Sequence, residues 1–374
     1  MHPLLSWARA QQSEAIDTIR EFVECESPSG DTAALGRFAD LFADTVSGAA
    51  KCRKSGQNLL CAFELPGRKK RGQILTLGHS DTVWPLGTLR SMPFRQAKGR
   101  LWGPGVLDMK AGLAFLMFAA RALRELDIPV SRGLLLQITC DEETGSSGSR
   151  SLTEANAKRS EAVLVLEPGT GLCGKLKTER KGVGDYRVTV RGVAAHAGVD
   201  FENGASAIVE LSRQIDRISR FTDLRRGITV NPGVISGGTR SNVIAENADA
   251  HVDIRIRRLR DAAGLDKKFH ALRPFDKRCS VQVSGGLNRP PMEKSAGGRR
   301  LYRLAQTAAG ELGIPLEESA TGGGSDGNFT AALGVPTLDG LGAVGEGAHA
   351  KHESILVARI ADRIALLARL ITLI

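Results

Sequence analysis

Aromatic side chains are scarce in this chain: 12 Phe, 3 Trp and 2 Tyr, or 5% of 374 residues. Few flat surfaces are left for stacking bases, so the net charge of +10 reads as a basic surface and not as a nucleic-acid footprint. Lys and Arg are scattered; only Arg68-Lys69-Lys70-Arg71 is a compact run, in an expected turn. Cysteine is sparse, at 25, 52, 61, 140, 173 and 279, with no C-x-x-C pair. A thiolate zinc site is not indicated, and reduced, mostly buried cysteines are expected. No apolar run nears membrane-spanning length, and Met1 to Arg9 lacks the basic start and apolar core of a secretory signal. A cytoplasmic protein with neither nucleic-acid nor membrane partners is expected. Glycine, by contrast, is abundant at 43 residues, clustered between apolar runs, which points to tight turns and backbone-lined sites.

The length suits two domains. A helix is expected over about Leu4–Cys25, ended by Ser27-Pro28-Ser29-Gly30, with Asp31 capping a second. Apolar β-type runs follow at Asn58–Leu65, Gln73–Gly78, Gly133–Cys140 and Ala162–Leu166, alternating with helices such as Lys110–Leu126. The alternation predicts an α/β fold with a mainly parallel central sheet covered by helices on both faces. From about 178 the pattern changes to alternating strands in β-α-β-β-α-β order, which suits an inserted α+β domain over 178–286. The first domain then comprises 1–177 and 287–374.

In parallel sheets, sites collect beyond the carboxyl ends of the strands. Polar groups stand there in series: His79-Ser80-Asp81, Asp141-Glu142-Glu143 and Glu167. Asp81, two residues from His79, can back the imidazole and strengthen its other nitrogen as a metal ligand. Asp108 lies between a Gly-Pro-Gly loop and a helix start, where a helix cap is the competing explanation. Adjacent Glu142 and Glu143 at a buried strand end repel each other unless a cation intervenes. Two of the seven histidines, His349 and His352, share one segment near the C-terminus. Each group alone has an ordinary structural explanation. Together, five nitrogen and carboxylate donors suit a pair of Zn²⁺ ions with Asp108 bridging. A remaining carboxylate can move a proton from water to a leaving amine.

In order and spacing, Gly78-His79-Ser80-Asp81-Thr82-Val83, Gly103-Pro104-Gly105 to Lys110, Asp141 to Ser146, Leu166-Glu167-Pro168 and Ala195-His196-Ala197-Gly198 resemble the zinc metallopeptidases that include carboxypeptidase G, aminoacylase and the succinyl-diaminopimelate desuccinylases. The resemblance runs over nearly the whole chain and is strongest to the carboxypeptidase G type. It implies that His79 and Glu167 hold one zinc, Glu143 and the C-terminal histidine the other, that Asp108 bridges the two, and that the Asp108–Met109 peptide bond is cis. It implies Glu142 as general base and then acid, Asp81 as support for His79, and Co²⁺ as a substitute metal. The insertion becomes a ferredoxin-like lid and dimerisation domain. His196 serves the partner's site in a homodimer and polarises the scissile carbonyl, Asn242 and Arg255 hold the substrate, and Arg289 and the turn around Gly323 lie at its carboxylate.

Position 109 departs from the family pattern by carrying Met where an acid often stands. His349 follows a small residue and precedes Glu353 by four positions, as the family's last ligand does, so it is favoured over His352. The expected activity is a two-zinc carboxypeptidase that releases a C-terminal amino acid, with glutamate the candidate, from a peptidyl or N-acyl group. An N-acyl amino acid deacylase or dipeptidase is the alternative on the same site. A non-catalytic binding protein on this fold is a third reading, against which the retained Glu142 argues.

Overall fold

The run Gln73–His79 carries Ile74, Leu75 and Leu77 on both of its faces, and a strand of that kind is stable only when both faces are covered. The computed structural model, which describes residues 1–374, places it inside a six-stranded sheet. The order is Ala50–Ser55, Asn58–Phe63, Gly133–Thr139, Gln73–His79, Ala162–Val165 and Thr337–Leu338. The last four run parallel, and Asn58–Phe63 joins them antiparallel. One face packs on the helices Pro3–Ala10, Gln12–Glu24, Thr32–Thr45, Ala111–Glu125, Ala296–Leu312 and Ile360–Leu373. The other buries Leu75, Leu77, Val163 and Val165 with Ala157 of the helix Arg150–Lys158. Register pairs His79 with Thr139 and Leu77 with Val165, so these three strands end level and release their polar successors on one edge.

The chain divides into two units: Met1–Glu179 with Lys294–Thr321 and Ser325–Ile374, and Arg180–Glu293 with Gly322–Gly324. The second unit has an antiparallel sheet in the order Thr229–Gly237, Asn247–Ile256, Gly182–Arg191, Ser280–Arg289. Helices Ala207–Ser219 and Ala262–His270 bury Leu211, Ile218, Leu265 and Phe269 against its inward residues Tyr186, Val188, Val252 and Ile254. This is a β-α-β-β-α-β sandwich with one helical face.

Several expectations change. The first helix is broken at Gln11 into two. The last strand of the second unit runs over Ser280–Arg289 through Ser284-Gly285-Gly286, past the expected domain end at 286. A Cβ on Gly285 would stand 2.2 Å from the Asp185 carbonyl oxygen, so the glycine marks a close strand approach and not a loop. The expectation of reduced cysteines fails for one pair. Ala50–Ser55, not anticipated as a strand, forms a hairpin with Asn58–Phe63 that sets Cys52 opposite Cys61, and the two are joined in a disulfide. No helix is long and apolar enough to cross a membrane.

Candidate metal centre

His79 is the last residue of its strand, and its ring is 2% exposed. Its Nε2 lies 3.1 Å from Asp108 Oδ1 and 3.6 Å from Glu167 Oε1. Its Nδ1 lies 2.9 Å from the Asp81 backbone carbonyl and 3.5 Å from the Asp81 carboxylate. The support expected from the Asp81 side chain therefore comes first from its main chain. The carboxylate, fully buried, accepts from the amides of Glu142 and Glu143, each at 3.1 Å, and from Ser29 Oγ at 2.9 Å. Asp81 thus fixes the turn that carries both glutamates. Burial would raise its pKa, but the His79 ring and these donors outweigh burial and lower it. Burial likewise pulls the His79 imidazole down, yet Asp108, Asp81 and Glu167 together hold it well above its ordinary value.

Asp108 does not cap the following helix: that helix starts at Ala111, Lys110 occupies the cap position, and no side chain bonds there. Its peptide bond to Met109 is cis. The carboxylate turns to the two imidazoles, Oδ1 toward His79 and Oδ2 3.5 Å from His349 Nε2. His349 Nε2 also lies 3.0 Å from Glu143 Oε1. Burial pushes Asp108 up, but the two histidines overcome it and hold its carboxyl below the usual range. Asp108 and then Glu143 push His349 up to about 10, against burial. Burial is the main cause that raises Glu143. His352 is exposed and packs on the Gly347 turn, where an added Cβ would meet its ring carbon at 2.8 Å. Of the two histidines, His349 is the one brought to the acids.

The donors fall into two overlapping sets, His79, Glu142, Glu167 and His79, Asp108, Glu143, each with ligand atoms within 4.8 Å of one another. Carboxylates packed this closely around an imidazole, half-buried or buried, carry mutual repulsion that a cation removes. The set contains nitrogen and oxygen and no thiolate, which fits Zn²⁺ or a similar divalent ion. Two more buried acids belong to the surroundings and were not anticipated. Asp326 accepts from Thr139 Oγ1 at 3.0 Å and Ser146 Oγ at 2.5 Å, and it lines a small cavity with His79, Glu142 and Glu167. Glu353, noted only as a spacing mark, is fully buried against the Asp108 loop. The signal for Asp326 was an acid within a glycine-rich turn; Glu353, beside Lys351 and His352, gave none beyond its spacing from His349.

The expected substrate residues lie in the second unit. His196 bridges to Val243, and Ala197 N donates to the Asn242 carbonyl at 3.0 Å, so His196 and Asn242 share an exposed edge. Arg255 does not present an open fork: Nε and Nη2 bind the Asp253 carboxylate at 2.9 and 2.8 Å, and Nη1 donates to the Gly322 carbonyl at 3.3 Å. Arg289 is buried, and its Cδ lies 2.8 Å from where a Cβ on Gly324 would stand. Arg180, not singled out in the sequence, donates from Nη1 to the carbonyls of Gly323 and Gly324 at 3.2 and 2.9 Å. Three arginines therefore converge on the glycine turn.

The chain is similar to known proteins over nearly its whole length. Carboxypeptidase G2 of Pseudomonas sp. (strain RS-16) is 31% identical over 98% of this chain and 91% of its own. A succinyl-diaminopimelate desuccinylase of Cereibacter sphaeroides (strain KD131 / KCTC 12085) is 29% identical over 91% of this chain and 93% of its own. Among solved structures, the aminopeptidase PepT of Bacillus cereus ATCC 10987 superposes with a TM-score of 0.79 at 24% identity, covering 97% of this chain and 98% of that one. A dinuclear metal-binding peptidase of Bacillus subtilis superposes with a TM-score of 0.70 at 13% identity, covering 97% and 98%. Peptidase family M20/M25/M40 matches residues 75–373, the span that begins with the His79 strand and ends past His349, and the chain belongs to that family.

Proposed function

We propose that this protein is a two-zinc hydrolase that releases a C-terminal amino acid, glutamate being the candidate, from a peptidyl or N-acyl group. The convergence of His79, Asp108, Glu143, Glu167 and His349 carries this reading. His79 and Glu167 would hold one zinc, Glu143 and His349 the other, with Asp108 between them. Bound there, the pair supplies Lewis acidity and lowers the pKa of a water. Glu142 takes the proton of that water and delivers it to the leaving nitrogen. Asp81 holds the turn that carries Glu142 and Glu143 by accepting from both backbone amides. Co²⁺ is expected to replace zinc.

The arginines around Gly322–Gly324 favour a substrate with a free carboxylate. Arg289 and the Gly323 turn are the candidates for holding it; Arg255 joins them if the substrate displaces Asp253. The second unit serves as lid and dimerisation domain. Its edge strand exposes Val234 and Ile235, and a groove of about 580 Å³ beside it is lined by Phe201, Ile208 and Val209, which suits a homodimer through this face. In that dimer His196 acts on the partner's substrate and polarises the scissile carbonyl, with Asn242 beside it.

A deacylase is the second reading, favoured by the similarity to a desuccinylase over nine-tenths of the chain. A panel of pteroyl-glutamates, dipeptides and N-acyl amino acids, assayed with zinc or cobalt, separates the two. A marked preference for C-terminal glutamate supports the carboxypeptidase reading, and indifference to the leaving residue removes it. Glu142→Gln should lose about 10²–10⁴-fold in kcat with metal content intact; turnover that survives refutes the assigned base.

A further inference from the structure

Glu353 is a fully buried acid to which the steps above assign nothing. Oε1 accepts from the amides of Leu107 and Asp108 at 2.8 and 3.1 Å. Oε2 accepts from the amide of Gly105 and the indole N–H of Trp84, both at 2.9 Å. Three of these donors belong to the loop that presents Asp108. Glu353 is also tied to the other loop of the centre. Its own amide donates to the Ala350 carbonyl at 2.9 Å, and the Ala350 amide donates to Gly347 at 2.8 Å, which closes the turn bearing His349. The next residue, Ser354, enters a strand paired with Trp102. A single residue therefore joins the loop of Asp108 to the loop of His349.

Sequence and chemistry together explain why the residue is an acid. Four N–H groups converging on one point need an acceptor on both atoms, and a carboxylate offers two oxygens with charge-assisted bonds. An amide of the same shape offers one oxygen and turns an NH₂ group toward donors. Position matters as well. His79 ends a sheet strand and Glu167 follows one by two residues, so register places both. Asp108 and His349 lie on irregular backbone and have no such frame.

We propose that Glu353 is a positioning residue that sets the spacing of Asp108 and His349, and thereby the affinity for the cation on the His349 side. The proposal rests on the two-metal reading. Removing an outer partner of this kind typically costs 10–100-fold in metal affinity. The loss should fall on the His349 side, while the strand-borne His79 and Glu167 retain their cation.

The test titrates metal-free wild type, Glu353→Gln and Glu353→Asp with Co²⁺, followed by visible absorption and by competition with Zn²⁺, alongside thermal unfolding of the metal-free forms. Wild type should take two equivalents. Glu353→Gln should bind the first as wild type does and the second about 10–100-fold more weakly, with an altered spectrum for that equivalent. Glu353→Asp, which keeps the charge, should recover part of the loss. If Glu353→Gln unfolds at a lower temperature yet binds both equivalents with wild-type affinity and spectrum, the residue is only structural and the proposal is overturned. If Glu353→Gln does not fold, Trp84→Phe removes one donor and should weaken the second equivalent severalfold; unchanged binding again overturns the proposal. Wild type that takes fewer than two equivalents sinks the two-metal reading itself, whatever the variants do.

Discussion

Asp81→Asn replaces one oxygen of a fully buried carboxylate with an NH₂ group and keeps the shape. In the wild type its two oxygens serve the Glu142 and Glu143 amides separately, Oδ1 at 3.1 Å and Oδ2 at 3.1 Å. Asparagine can satisfy only one of them. The other amide loses a charge-assisted bond worth about 1.5–3 kcal/mol, and leaving a buried N–H facing another donor adds about 1–3 kcal/mol. A loss near 3–4 kcal/mol follows once the retained oxygen and the Ser29 hydroxyl rearrange. The pKa of Asp81 is lowered in the folded chain, so its stabilisation is present above its unfolded value of about 3.9 and fades as pH falls through the folded value. Urea unfolding of metal-free wild type and Asp81→Asn should therefore differ fully at pH 7, and the gap should close in acid below about pH 4. A variant as stable as wild type at pH 7, or a gap that ignores pH, would refute the assignment of Asp81 as the holder of the glutamate turn. Activity gives an independent reading: because Glu142 and Glu143 ride on this turn, turnover should fall about 10–100-fold.

Two further outcomes bear on the metals themselves. Chelation should abolish hydrolysis, and zinc or cobalt should restore it. The metal-free chain holds the pKa of His79 raised and that of His349 up to about 10, so at pH 7 the His349 ring carries a proton that a metal must expel. Affinity should rise with pH toward about 10, and calorimetry in buffers of different ionisation enthalpy should register proton release; its absence counts against His349 as a ligand. His349→Ala should cost one of two metal equivalents while His352→Ala retains both, and the reverse result would exchange their roles.

The strand-borne part of the centre was legible because a parallel sheet turns sequence into position. Once Gln73–His79, Gly133–Thr139 and Ala162–Val165 are apolar runs of similar length, pairing them in register leaves His79, Glu143 and Glu167 on one edge. No further information is needed. What stayed hidden left no mark in the local residue pattern, even where the partners are near in the chain. The edge strand Ala50–Ser55 is mostly exposed and polar, so nothing in its pattern announced it, and with it went the Cys52–Cys61 pairing. The bidentate hold of Asp253 on Arg255 was hidden as well, since the two share one strand face whatever the arginine binds.

Asp108 and His349 lie between these cases. Motif spacing selected them, but spacing cannot say how two loops some 240 residues apart come to face one another. Elementary chemistry constrains the answer: buried amides in an irregular loop must find acceptors, and the Gly105, Leu107 and Asp108 amides find all of theirs on Glu353. The polar demand of the Asp108 loop therefore draws in the segment that also carries His349. On this view the second half of the metal centre is assembled by satisfying backbone hydrogen bonds, whereas the first half is assembled by strand register. The two halves should then fail separately: sheet substitutions should disturb the His79 and Glu167 side, and the loss of a single buried carboxylate the other.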